Sequence, residues 1–150
     1  MTTAADLVGR WDIVSWVQAY DDGRVQHPMG EDLEGFIRYT ADGEMVCMIV
    51  RGDRAAFATG GQWDASDEEK AAAYQSMLSY AGRYEVVGDA VTHHVELSLF
   101  PNWAGGQQRR RFVFRDDGTL ALEARLEADT QQARTARLVW RRHAPSGSSR

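Results

Sequence analysis

Apolar and polar residues alternate along most of this chain with a period of two, and turn signals interrupt the alternation repeatedly. Each alternating run predicts a strand with one buried face: residues 8–18, 35–40, 44–51, 80–87, 90–100, 107–115, 119–126 and 134–142. Ala41-Asp42-Gly43, Gly88-Asp89 and Asp116-Asp117-Gly118 lie between successive runs as hairpin turns, and Asp21-Asp22-Gly23 ends the first run. One segment breaks the period. Ser66-Asp67-Glu68-Glu69 has the form of a capping box with acidic residues in the first turn. Ala71, Tyr74, Met77 and Leu78 then recur at spacings of three and four, predicting a helix to about residue 78 that lies across the sheet or plugs an opening. Strands joined mainly by tight turns make the fold mainly β: a single eight-stranded antiparallel up-and-down β-barrel with one short helix, because closure removes unpaired edges. Eight strands leave an interior that side chains fill or that holds one small molecule.

The length of 150 residues suits one domain, here a barrel over 7–142 between a flexible N-terminus (1–6) and a flexible polar tail (143–150). A net charge of −5 argues against nucleic acid, which demands a basic surface. Arg109-Arg110-Arg111 does not change this, since alternation splits its side chains between two faces. Cys47 is the lone cysteine and sits among apolar neighbours, which reads as a structural thiol in a reducing compartment. The first residues lack a charged leader followed by an apolar run, and no apolar run reaches the roughly 20 residues of a membrane helix. A cytoplasmic setting without membrane contact is therefore expected.

The candidate chemistry concentrates in Thr92-His93-His94-Val95-Glu96-Leu97-Ser98-Leu99-Phe100-Pro101-Asn102-Trp103. In a regular strand His94, Glu96 and Ser98 share one face, while His93, Val95, Leu97 and Leu99 share the other. If the apolar face turns inward, His93 is the titratable group that this strand gives to the interior, and His94 and Glu96 form a surface pair. If the other face is covered, Glu96 raises the pKa of His94 and orients it, as a general base requires. A metal is not expected: His93 and His94 diverge, and a facial triad would need His27 or His143 from elsewhere. On the next strand Phe112 and Phe114 mark the inward face and carry Arg110 with them. A buried arginine needs an internal acid or a ligand oxyanion. Tyr39, Tyr80 and Tyr84 are strand aromatics whose hydroxyls suit a ligand carbonyl. Asn102 and Trp103 precede Ala104-Gly105-Gly106 on a rim suited to a lid. Trp16 faces opposite to Trp11 by strict alternation, which makes it a candidate contact for a homodimer.

Several separated stretches together resemble the bacterial and fungal lipocalin-like domain family, a group of small β-barrels. They are Leu7-Val8-Gly9-Arg10-Trp11, Gly30-Glu31-Asp32 with Gly35-Phe36-Ile37-Arg38-Tyr39-Thr40-Ala41-Asp42-Gly43, Tyr80-Ala81-Gly82-Arg83-Tyr84, and the His93 to Trp103 segment. They fall in order and span roughly residues 7 to 142. The resemblance implies that Trp11 packs in the closed end of the barrel beneath Arg141 or Arg142. It also implies a small-molecule-binding barrel without a cofactor, in a family where some members accompany natural-product biosynthesis. Related barrels include cofactor-independent isomerases and cyclases. Two functions therefore stand. In one, a mostly apolar pocket binds a small ligand, contacted by Tyr39, Tyr80, Tyr84, Phe112, Asn102 and Trp103. In the other, His93, His94, Glu96 and Arg110 catalyse isomerisation or cyclisation of a biosynthetic intermediate in the same pocket.

Overall fold

The structure, a computed structural model, describes residues 4–144. The chain runs α1 (Ala4–Leu7), β1 (Gly9–Tyr20), β2 (Val25–Gln26), β3 (Leu33–Tyr39), β4 (Glu44–Arg51), α2 (Asp67–Gln75), β5 (Met77–Val87), β6 (Ala90–Ser98), a 3-10 turn (Pro101–Trp103), β7 (Gln107–Phe114), β8 (Leu120–Leu126) and β9 (Arg134–Arg142). Every strand pairs antiparallel with its neighbour, and β1 closes the sheet on β9 from Trp11↔Arg142 to Tyr20↔Arg134. The result is a closed eight-stranded barrel, with the short β2 added at the far end of β1 through Gln18↔Gln26 and Ala19↔Val25.

Three local departures from the expected pattern matter. The helix stops at Gln75, where Ser76 caps it, and Met77 and Leu78 begin β5 instead of continuing a helical face. Ser66 Oγ accepts from the Glu69 amide as predicted, yet the Glu69 carboxylate turns to the backbone amides of Ala58 and Thr59. It thereby staples the preceding loop to a helix that buries no residue of its own. Second, local structure extends past residues 7–142: Ala4–Leu7 is helical, and His143 donates its backbone amide to the Arg10 carbonyl. The parts of those termini at 1–3 and 145–150 lie outside the described residues.

The third departure is a pair of β-bulges. In β1 the register slips between Ile13 and Ser15, leaving Val14 as the extra residue, 41% exposed. A bulge adds one residue to one strand and so inverts the parity of everything after it. Trp16 accordingly points into the barrel, not to the outer face that strict alternation assigned it. In β6 the register slips between the pairs Ala81↔Leu97 and Gly82↔Val95, making Glu96 the extra residue. Leu97 is thereby turned outward, 74% exposed, although alternation placed it inside. Gly82 is the residue this bulge demands, because a Cβ there would sit 1.9 Å from the His94 carbonyl oxygen.

One end of the barrel is packed shut. Trp11 is buried, donates its indole N–H to the Leu7 carbonyl at 2.9 Å, and lies 5.9 Å from Phe114. The Arg142 guanidinium covers its other side at 4.1 Å from the ring centroid. Arg142 also donates to the carbonyls of Val8 and Asp6, so a single arginine ties β9 to α1 and to the start of β1. Of the two arginines expected over Trp11, Arg142 is the one that stacks. Gly9, at φ +124°, leaves room for it: a Cβ there would meet Arg142 Nη1 at 2.8 Å. No helix among the described residues is long and apolar enough to cross a membrane.

Candidate functional site

The opposite half of the barrel is hollow. A cavity of about 290 Å³ occupies it, reached where β1 and β8 end and where β5, β7 and β9 begin. β8 and β9 explain why space remains there. Toward the closed end their inward residues are large, with Leu120 opposite Trp140 and Leu122 opposite Leu138. Toward the mouth the inward pair is Ala124 opposite Ala136, which leaves the wall thin. Ile37, Cys47, Leu78 and Leu126 add apolar wall, and Trp16 and Trp140 add aromatic wall. Trp103 sits at the mouth, half-buried, edge-on to Tyr80 at 5.5 Å and to Phe100 at 6.0 Å. The 3-10 turn carries it there. Past His94, β6 no longer ladders with β7, and Val95 instead exchanges backbone bonds with Gly105 and Gly106.

His93 is the buried polar centre of this site, 1% exposed. Its Nε2 lies 2.7 Å from the Tyr39 hydroxyl and its Nδ1 lies 2.8 Å from the Tyr80 hydroxyl. Burial, reinforced by the positive charge of Arg110 and by His94, pulls its pKa from 6.5 down to about 3. The imidazole is therefore neutral, with one N–H and one bare nitrogen. The surroundings decide which nitrogen carries the proton. Among the described residues, the Tyr39 hydroxyl has no hydrogen-bond partner besides His93 Nε2, and Tyr39 is itself 1% exposed. Were Tyr39 to accept from His93, its own proton would be stranded in the core at a cost of about 1–3 kcal/mol. One phenol proton is left over in either tautomer; because Tyr80 borders the cavity and Tyr39 does not, the least costly arrangement has Tyr39 donating to Nε2, Nδ1–H donating to Tyr80, and the Tyr80 proton pointing to the cavity. Burial holds both phenols well above their ordinary pKa, with Arg110 acting in the opposite direction. Burial likewise pushes the Cys47 thiol up to about 12, which keeps it protonated and a poor nucleophile.

Arg110 lines the cavity from β7, in line with Phe112 and Phe114. It donates to the Gln108 side-chain oxygen at 3.1 Å and to the Arg109 carbonyl at 3.0 Å, and among the described residues no ion pair with a carboxylate is formed by it. Of the other residues expected at a site, Tyr80 and Trp103 do line the cavity. Tyr39 stands behind His93 as a support. Tyr84 stacks edge-on to Tyr39 at 4.8 Å and donates to the Thr40 carbonyl. Phe112 belongs to the packed half, against Phe114. Asn102 is exposed in the 3-10 turn. His94 and Glu96 are on the outside and do not pair with each other: His94 meets Glu85 at 2.8 Å and Glu96 meets Arg83 at 3.4 Å. The β6 bulge and the regular pleat before it account for that separation.

The sequence reading missed Trp16, Gln18 and Trp140. Both indole nitrogens, Trp16 Nε1 and Trp140 Nε1, are buried and have no hydrogen-bond partner among the described residues. A second depression of about 370 Å³ lies outside the barrel, between residues 51–57 and α2. Arg54 and Glu69 are occupied there: Arg54 bonds Ser76 Oγ and the Ala73 carbonyl, and Glu69 bonds the amides of residues 58 and 59. That groove reads as loop fastening. No group of three metal-ligating side chains is gathered among the described residues.

Over a 53-residue stretch the chain is 42% identical to the 4'-hydroxy-3'-methoxypropiophenone carrier protein ppsC of Aspergillus oryzae, a match covering 30% of this chain and 48% of that protein. The chain thus spans about half the length of that curated relative. Crystal structures of a lipocalin-like protein from Bacteroides uniformis (15% identity, TM-score 0.49) and of a protein from Bacteroides eggerthii (15% identity, TM-score 0.47) are similar over 92% and 91% of this chain. They are matched over 99% of their own lengths. The profile of the lipocalin-like domain matches residues 8–143, nearly the whole barrel, and the chain belongs to that family.

Proposed function

We propose that this protein binds a small, mostly apolar organic molecule in the open half of its barrel, in a cytoplasmic setting, with Tyr80, Arg110 and Trp103 setting its orientation and His93 holding Tyr80 in place. One observation carries the reading: an apolar cavity of about 290 Å³ that holds two buried indole N–H groups without partners. A fold that had evolved only to pack would have filled the space opposite Ala124 and Ala136, since empty apolar volume costs stability. A cavity of about 150 Å³ takes up benzene, so twice that volume suits a ligand of one or two rings. The relative named as a propiophenone carrier is consistent with a ligand of that size. Binding is favoured over catalysis because a histidine held at a pKa of about 3, with both nitrogens engaged, is a weak general base at neutral pH. The wall hydrophobes supply affinity and the few polar groups supply orientation.

The test is titration of the protein with naphthalene-sized aromatic compounds, followed by calorimetry and by tryptophan fluorescence. Saturable one-to-one binding that Ala124→Trp abolishes, without lowering the melting temperature, is the expected result. Binding that survives this filled cavity would place the ligand elsewhere and overturn the reading. Turnover of a ligand, lost in His93→Gln while affinity persists, would make the barrel an isomerase or cyclase instead.

A further inference from the structure

The polar groups that reach the cavity are unbalanced between donors and acceptors. Trp16 and Trp140 each bring an indole N–H, a group that can only donate. Gln18 and Gln108 bring amides whose oxygens are already taken: Gln18 Oε1 by Arg134 at 2.8 Å and Gln108 Oε1 by Arg110 at 3.1 Å. Arginine has no acceptor, so the oxygens must face it and the NH₂ groups face away. Arg110 itself can only donate. His93 uses both nitrogens on tyrosines, which leaves the Tyr80 hydroxyl proton without an acceptor and Tyr80 on the cavity wall.

From this surplus of donors, the unpaired indole N–H groups of Trp16 and Trp140 together with the Tyr80 hydroxyl and the Arg110 guanidinium, we infer that the ligand is an aromatic molecule carrying a carbonyl-type oxygen, a ketone or a carboxylate, directed into the barrel. The inference rests on the binding reading above and specifies the ligand's chemistry. A ligand that only accepts satisfies the indole donors that are otherwise buried without partners, whereas a purely apolar ligand seals them in and an ammonium-bearing ligand meets the Arg110 charge and only oxygens that already accept a bond. Recognition by matched hydrogen-bond groups discriminates more sharply than recognition by shape, so the preference should be large.

Four probes of one shape test it by isothermal titration calorimetry: 2-acetylnaphthalene, 2-naphthoate, 2-ethylnaphthalene and 2-naphthylmethylamine. The expected result is that the ketone or the carboxylate binds at least tenfold more tightly than the hydrocarbon, with the amine weakest. Trp16→Phe and Tyr80→Phe should each cut the affinity of the preferred oxygen probe five- to twentyfold more than that of the hydrocarbon, whose retained binding shows that the variant is folded. Should a variant not fold, the ratio measured in the unaltered protein decides alone. A hydrocarbon that binds as well as both oxygen probes, or an amine that binds best, overturns the inference while leaving the pocket intact. Failure of all four to bind overturns the pocket itself.

Discussion

The neutral, buried His93 makes a sharp prediction about acid stability. Unfolded, this histidine titrates near 6.5; folded, near 3. Its folded pKa is the lower one, so below pH 6.5 the unfolded chain binds a proton that the folded chain refuses, and stability falls as pH falls. The linkage slope is about 1.4 kcal/mol per pH unit, continuing until the folded pKa is reached. Between pH 7.5 and 5.0 the loss from this one residue comes to about 2 kcal/mol, a sizeable part of the 5–15 kcal/mol typical of a domain. Carboxylates add their own pH dependence, which a comparison removes. His93→Gln keeps a group that can donate to one tyrosine and accept from the other but does not titrate. Urea unfolding of both proteins at pH 7.5 and 5.0 should show the natural protein losing about 2 kcal/mol more than the variant over that interval. Equal losses would refute the reasoning, and with it the assignment of a neutral imidazole clamped between Tyr39 and Tyr80.

Further expectations concern the frame around the site. Gly82→Ala should cost at least about 3 kcal/mol in chemical denaturation, because its Cβ would meet the His94 carbonyl at 1.9 Å across a bulge that cannot relax without breaking the β5–β6 ladder; a loss under 1 kcal/mol would contradict the bulge. Arg142→Met should remove the contact with Trp11 and two carbonyl bonds, lowering stability by about 2–3 kcal/mol with ligand affinity unchanged, since the closed end is remote from the mouth. Glu85→Gln and His94→Ala should each change stability by less than about 1 kcal/mol and leave binding unaltered, as an exposed ion pair dictates; a loss of affinity in either would return the outer face of β6 to the site. Cys47 should resist an aromatic disulfide reagent at pH 8 until the chain is unfolded, and rapid labelling of the native protein would contradict its buried, protonated state.

Much of the barrel could be read from alternation because each run has one buried face, and the hairpin glycines marked where runs end. Placing Arg110 beside Phe112 and Phe114 followed from the same pleat, and so did His93 inward against His94 outward. What could not be read were the bulges. Val14 and Glu96 look like ordinary strand residues, yet each shifts the parity of all that follows, moving Trp16 into the cavity and Leu97 out of the core. Nothing local announces them, apart from Gly82 as a residue across the strand that lets a carbonyl approach. The helix was extended too far because Met77 and Leu78 continue its spacing, while their true partners, Val50 and Ile49, are distant in sequence. The donor excess in the cavity is likewise a property of which partners each group has found, and that belongs to the folded chain alone.

The most direct test of the central claim is an NMR spectrum of the indole N–H groups, recorded while 2-acetylnaphthalene is added. The signals of Trp16, Trp140 and Trp103 should shift, because these residues line the cavity, whereas Trp63, 80% exposed on the outside, and Trp11, bonded to Leu7 in the closed end, should stay in place. Movement of Trp63 with Trp16 and Trp140 unchanged would show the molecule lodging on the surface, and the barrel would not be the binding site.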